Sequence, residues 1–119
     1  MKFFTTTKVA LVMLVAIFTS CAVSTKTKQL NTQANTALQA GDYAKALDSY
    51  EEIITLAEAN GKQAKPQVYQ SAGVAAWNLK QPDKAISYLE KVKQNDGAVA
   101  ETFSTLAKAY KEIDNLSKE

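Results

Sequence analysis

Apolar residues follow two different patterns along this chain. Near the N-terminus they are contiguous: Val9–Phe18 reads VALVMLVAIF without a polar break. From Leu30 onward they recur at helical spacing. Leu30, Ala34, Ala37 and Leu38 share one face at i, i+4, i+7 and i+8. Gly41 is placed to end that helix and Asp42 to cap the next. Ala46, Leu47, Tyr50, Ile53, Ile54 and Ala57 form a second stripe, which Asn60-Gly61 stops. Pro66 suits the first turn of a third helix, with Tyr69, Ala72, Gly73 and Ala76 inward. Pro82 opens a fourth, with Ala85, Ile86, Leu89 and Val92 inward, and Asn95-Asp96-Gly97 breaks it. A fifth runs from about Ala98 to Leu116. Its expected inward residues are Phe103, Leu106, Ala107, Tyr110 and Ile113; Glu101, Thr105, Lys108 and Glu112 are expected outward, as a polar cap on the stack. No segment alternates at period two, so the fold class is all-α.

The helices repeat. Leu30, Ala34 and Ala37 map onto Tyr69, Gly73 and Ala76 at an offset of 39, and Tyr43, Ala46, Leu47, Tyr50 and Ile53 map onto Pro82, Ala85, Ile86, Leu89 and Val92 at the same offset. Tyr69, Ala72, Gly73 and Ala76 map onto Phe103, Leu106, Ala107 and Tyr110 at an offset of 34. A helix–turn–helix unit of that period, carrying FSTLAKAY (Phe103–Tyr110) and GDYAKALDSY (Gly41–Tyr50), resembles the tetratricopeptide repeat. The resemblance implies a short α-solenoid of two helical hairpins, Leu30–Asn60 and Pro66–Asn95, followed by a capping helix. Small residues at 34, 73 and 107, and at 46 and 85, would let helices cross closely. The first interval is five residues longer than the second, an excess expected in Ala59–Lys65. Pro82 departs from the family pattern by replacing a turn aromatic.

The contiguous run calls for a separate reading. Lys2 and Lys8 precede it and Thr19-Ser20-Cys21 follows it, in the order of a secretory signal: basic start, short apolar middle, small residues. Ten residues rise only about 15 Å as a helix, half a bilayer core. Cys21 is the only cysteine, and its placement resembles the lipobox of bacterial lipoproteins, with Phe18 where leucine is usual. That resemblance implies cleavage before Cys21 and acylation of its thiol. The chain then divides into a signal peptide (1–20), a lipidated cysteine with a polar, flexible tether (21–29), and the repeat domain (30–119). The Ser20–Ala22 triplet also fits ordinary cleavage after Ala22, which would release a soluble secreted protein. The acid-free stretch after Cys21 resembles outer-membrane sorting signals, which implies the periplasmic face of the outer membrane.

Composition narrows the chemistry. All 14 basic residues are lysines, against 12 acidic ones, and losing Lys2 and Lys8 would leave the rest neutral. No nucleic-acid footprint is present. Without histidine, no Ser–His or Cys–His nucleophile pair can form, and the four isolated glycines build no phosphate loop. Glu51-Glu52 reads as a solvated helix face and not as an acid–base pair. These features point to a non-enzymatic chain without a cofactor or metal.

The family resemblance implies a binding groove on the concave side, lined by the first helix of each repeat. Here it would present Asn31, Asn35, Gln70, Val74, Trp77, Asn78, Ser104 and Lys108, with Leu38 and Lys111 beside them. A carboxylate clamp, known in one branch of the family, is not matched: only Asn35 fits it. A neutral, amide-rich groove with one tryptophan suits an extended backbone of a peptide or partner protein. Trp77 reads equally as a binding anchor or as packing against a neighbouring helix. The rival reading is a stack that self-associates through its ends, with no groove ligand.

Cys21→Ser should move the protein from the membrane fraction to the soluble fraction. Wild-type protein already soluble, with Val23 as its first residue, would contradict lipidation.

Overall fold

The computed structural model describes residues 23–119. Five helices make up the described residues: α1 (residues 23–39), α2 (Tyr43–Ala59), α3 (Pro66–Asn78), α4 (Pro82–Gln94) and α5 (Ala100–Ser117). No strand occurs among them. Val9–Phe18 and Cys21 lie outside the described residues. Within the described residues, no helix is long and apolar enough to cross a membrane.

The helix ends use the punctuation the spacing predicts, with two additions. Asp42 caps α2 by accepting from the Lys45 amide at 3.2 Å. The chain leaves α1 and α2 through Gly41 and Gly61 in the left-handed region, where the absence of a Cβ removes the strain. Lys80 and Asp96 adopt the same conformation after α3 and α4 without being glycine. Each of these four ends closes with the same backbone bond, from the amide just past the left-handed residue back into the last turn: Asp42 to Ala37, Lys62 to Ala57, Gln81 to Ala76 and Gly97 to Val92. The stop is therefore set by hydrogen bonding, and glycine only eases it.

Consecutive helices pack in sequence order, α2 on α3, α3 on α4 and α4 on α5, while α5 also touches α3. The core is built from small residues at the crossings and larger ones between them. Ala34, Ala46, Ala72, Ala76 and Ala85 are fully buried, and Tyr50, Tyr69, Leu89 and Val92 fill the space around them. Gly73 is the tight point of the α3–α4 crossing. A Cβ there would stand 2.6 Å from Leu89 Cγ and 3.4 Å from the Ala85 carbonyl oxygen. A side chain at 73 would collide with Leu89 of α4, so glycine is what lets Leu89 pack flat on α3.

Outside the core, a polar ladder joins the two second helices. Glu51 on α2 pairs with Lys84 at 2.9 Å and accepts from the Tyr88 hydroxyl at 2.7 Å. Two turns on, Lys91 pairs with Glu58 at 3.4 Å and lies 5.2 Å over the Tyr69 ring, which stacks on Tyr88. Burial works against the Glu51 charge, but the bonds from Lys84 and Tyr88 outweigh it and hold its carboxyl below the ordinary range. Burial first, and then the bond to Glu51, push the Tyr88 phenol well up.

Three expectations need correction. Residues 23–29 are helical, so the stretch expected as a flexible tether is the first part of α1; Lys26 there pairs with Glu52 of α2 at 2.7 Å. The long first interval is mostly helix and not loop, because α2 has 17 residues where α4 has 13. Most consequential is which face of α5 is buried. Thr102, Thr105, Leu106 and Ala109 are its buried residues, while Phe103 and Tyr110 are 54% and 50% exposed. Ala107 is exposed as well. Thr105 was expected outward and is inward; Phe103, Ala107 and Tyr110 were expected inward and face out. The physical reason is that the repeat motif marks two faces of a first helix: one packs on the preceding hairpin, the other on its own second helix. For α5, no described element supplies that second helix.

Two outcomes follow. Gly73→Ala should lower unfolding free energy by about 1–3 kcal/mol, and Gly73→Leu by more, because the crossing cannot open locally. Ala107→Leu, at the equivalent but exposed position, should change it by less than about 0.5 kcal/mol. Chemical denaturation of the three variants checks both; equal costs at 73 and 107 would contradict the packing. Glu51 has a depressed folded pKa, so its contribution is present above its ordinary value of 4.5 and is lost as pH falls through the lower folded value. The melting temperature of Glu51→Gln should therefore fall less steeply than wild type in acid. Parallel acid limbs would show that the ladder carries no such linkage.

Candidate protein-binding face

The eight groove candidates lie on the three first helices. Asn31 and Asn35 stand one turn apart on α1; Gln70, Val74, Trp77 and Asn78 form one stripe on α3; Ser104 and Lys108 stand one turn apart on α5. Asn31, Asn35, Asn78, Ser104 and Lys108 are exposed, and Gln70, Val74 and Trp77 are half-buried. Trp77 packs against the core with part of its surface still open.

Several of these side chains are already engaged within the molecule. Asn35 Oδ1 accepts from the Tyr50 hydroxyl at 2.6 Å. Burial pushes the Tyr50 phenol up, and a hydrogen bond from the Ser71 side chain pulls it part of the way back. Tyr50 on α2 thereby ties itself to Asn35 of α1 and lies beside Ser71 of α3. The next junction is pinned differently. Thr102 Oγ1 donates to Gln70 Oε1 at 2.6 Å and accepts from the Val99 amide at 3.0 Å, while Gln70 Nε2 reaches Glu101 at 3.4 Å. Asn78 Nδ2 bonds the Val74 carbonyl at 2.8 Å, on its own helix. The amide-rich surface is thus partly a set of struts between helices. Asn31, Val74, Trp77, Asn78, Ser104 and Lys108 are the candidates for which no strut to another helix is seen.

Two openings flank this face. A cleft of about 780 Å³ lies between α1, the second half of α2, the following loop and the start of α3. Its floor includes Ile53, Leu56, Ala57, Ala64 and Val68, and its lining carries Lys28, Lys62 and Lys65 with no carboxylate. Asn31 is the one groove candidate it contains. The sequence reading did not find this cleft; the signal for it was the longer first interval, which lengthens α2 beyond the crossing. A second opening of about 470 Å³ lies between the start of α3 and the α4–α5 loop and includes Gln70, Ser71 and Val99. Among the described residues, no group of three or more metal-ligating side chains comes together.

Stacked helical hairpins with a small-residue crossing, repeated at a near-constant interval, define an α-solenoid. The sequence profile of the tetratricopeptide repeat matches residues 30–60 and 66–98, more than half of the chain. This chain belongs to the tetratricopeptide repeat family. Repeats of this kind serve in general as non-enzymatic scaffolds for protein–protein contact. No curated protein and no solved structure matches the chain.

Proposed function

We propose that this protein is a lipid-anchored adaptor of a bacterial cell envelope, which binds a peptide or partner protein on the concave face of its repeats. The observation that carries the binding half is the stripe on α3: Val74 and half-buried Trp77, continued by exposed Ser104 and Lys108 on α5. A tryptophan braced against a core and partly open to solvent is a rigid apolar anchor, the kind of residue that dominates interfaces. The neutral surround favours an extended backbone over a charged tail.

The anchoring half rests on the N-terminal sequence. A basic start, a short apolar run and a single cysteine after small residues support acylation of Cys21 and attachment to the periplasmic face of the outer membrane. The helix beginning by Val23 leaves little slack between that anchor and the repeats, so the domain would be held close to the bilayer.

The test is a partner recovered by crosslinking in living cells and titrated against variants. Trp77→Ala should cost about 2 kcal/mol or more of binding, roughly thirtyfold. Ser104→Arg, at an exposed position, should weaken binding without disturbing the fold, and Asp48→Ala on α2 should be neutral. Circular dichroism checks folding. Folded Ser104→Arg and Trp77→Ala proteins that bind as well as wild type would contradict the groove.

A further inference from the structure

The open face of α5 has a counterpart in each complete repeat, and those counterparts show what covers it. Phe103, Ala107 and Tyr110 occupy the positions of Tyr69, Gly73 and Ala76 on α3 and of Leu30, Ala34 and Ala37 on α1. In the two complete repeats all six are buried. On α3 the cover is α4: Leu89 and the Ala85 carbonyl meet Gly73, and Tyr88 stacks on Tyr69 with ring centroids 6.4 Å apart. On α5 no described element covers the face.

The polar edge repeats too. Glu51 on α2 receives Lys84 and Tyr88 of the covering helix α4. At the same offset of 39, α4 carries Glu90. Glu90 stands beside the open face, where its carboxylate accepts from the Tyr110 hydroxyl at 3.1 Å and pairs with Lys93 of its own helix. Glu90 is thus placed to a covering helix as Glu51 is to α4. Both second helices of this chain carry the matching signature, a lysine followed directly by a buried alanine, Lys45-Ala46 and Lys84-Ala85, with apolar residues four and seven positions after the alanine.

We propose that the face formed by Phe103, Ala107 and Tyr110 is a docking site for an amphipathic helix of a partner protein that carries this signature: lysine, a small residue, then apolar residues four and seven on. The small residue and the apolar residue four on meet Ala107, as Ala85 and Leu89 meet Gly73, and the lysine meets Glu90, as Lys84 meets Glu51. This surface is separate from the concave face, on another side of α5 from Ser104 and Lys108, so either can hold without the other.

The experiment uses a fluorescent peptide with the sequence of residues 81–95 as a stand-in for such a helix, titrated with the full chain. Saturable binding should appear in anisotropy, weakened tenfold or more by Ala107→Leu, which puts bulk at the crossing. Glu90→Lys should weaken it similarly, and a peptide carrying Lys84→Glu should restore binding to Glu90→Lys. Ala107 is exposed and Glu90 half-buried, and circular dichroism checks the folding of both variants. No binding, or binding indifferent to residues 90 and 107, would overturn the proposal. A dimer that excludes the peptide and is broken by Ala107→Leu would overturn it in favour of a second copy. Binding only after removal of residues 1–22 would overturn it in favour of the chain's own N-terminal segment.

Discussion

Close approach of two helices at a pair of small residues is the constraint on which this structure depends. At the α3–α4 crossing there is room for Gly73 against Ala85 and Leu89 and for nothing larger. Ala34 and Ala46, both fully buried, hold the corresponding positions in the first hairpin. Packing at that distance maximises dispersion contacts along both helices and leaves no space for a side chain that could choose another register. The hairpins are then rigid units, and what remains is how they stack.

Beside the apolar core that the two hairpins share, a few long polar side chains bridge one hairpin to the next. Tyr50 reaches from the second helix of one hairpin to the first helices of both, bonding Asn35 and meeting Ser71. At the next junction, where Leu89 replaces Tyr50 and has no hydroxyl, Thr102 and Gln70 perform the same task. The outer ladder of Glu51, Lys84 and Tyr88 closes the other side. These bonds, together with the shared core, hold the first helices that line the concave face. Residues that look like ligand contacts by position, such as Asn35 and Gln70, are therefore also parts of the frame.

Much of this was legible in the sequence because helical periodicity and small-residue crossings leave a regular trace. The helices α2 to α4, their turns, and the buried stripes through Ala34, Tyr50, Gly73 and Leu89 follow from spacing alone. Two things were not legible, for physical reasons. The motif FSTLAKAY shows which residues a first helix offers to its second helix, but not whether that helix is present; on α5 it marks a face that stays exposed. Polar composition in residues 23–29 suggested a tether, yet lysine and glutamine are good helix formers and α2 supplies Glu52 as a partner for Lys26. The cleft beside α1 and the struts at Asn35 and Gln70 arise from distant parts of the chain meeting, which local patterns do not encode.

The central claim is that the repeat motif on α5 is uncovered while its equivalents are closed. Hydroxyl-radical footprinting of the folded protein, read by mass spectrometry, measures this directly. Phe103 and Tyr110 should be oxidised readily, and Tyr50 and Tyr69, each 1% exposed, should be protected. Protection of Phe103 and Tyr110 equal to that of Tyr69 in the isolated monomer would mean that α5 is rotated and its face already filled, and would contradict the account.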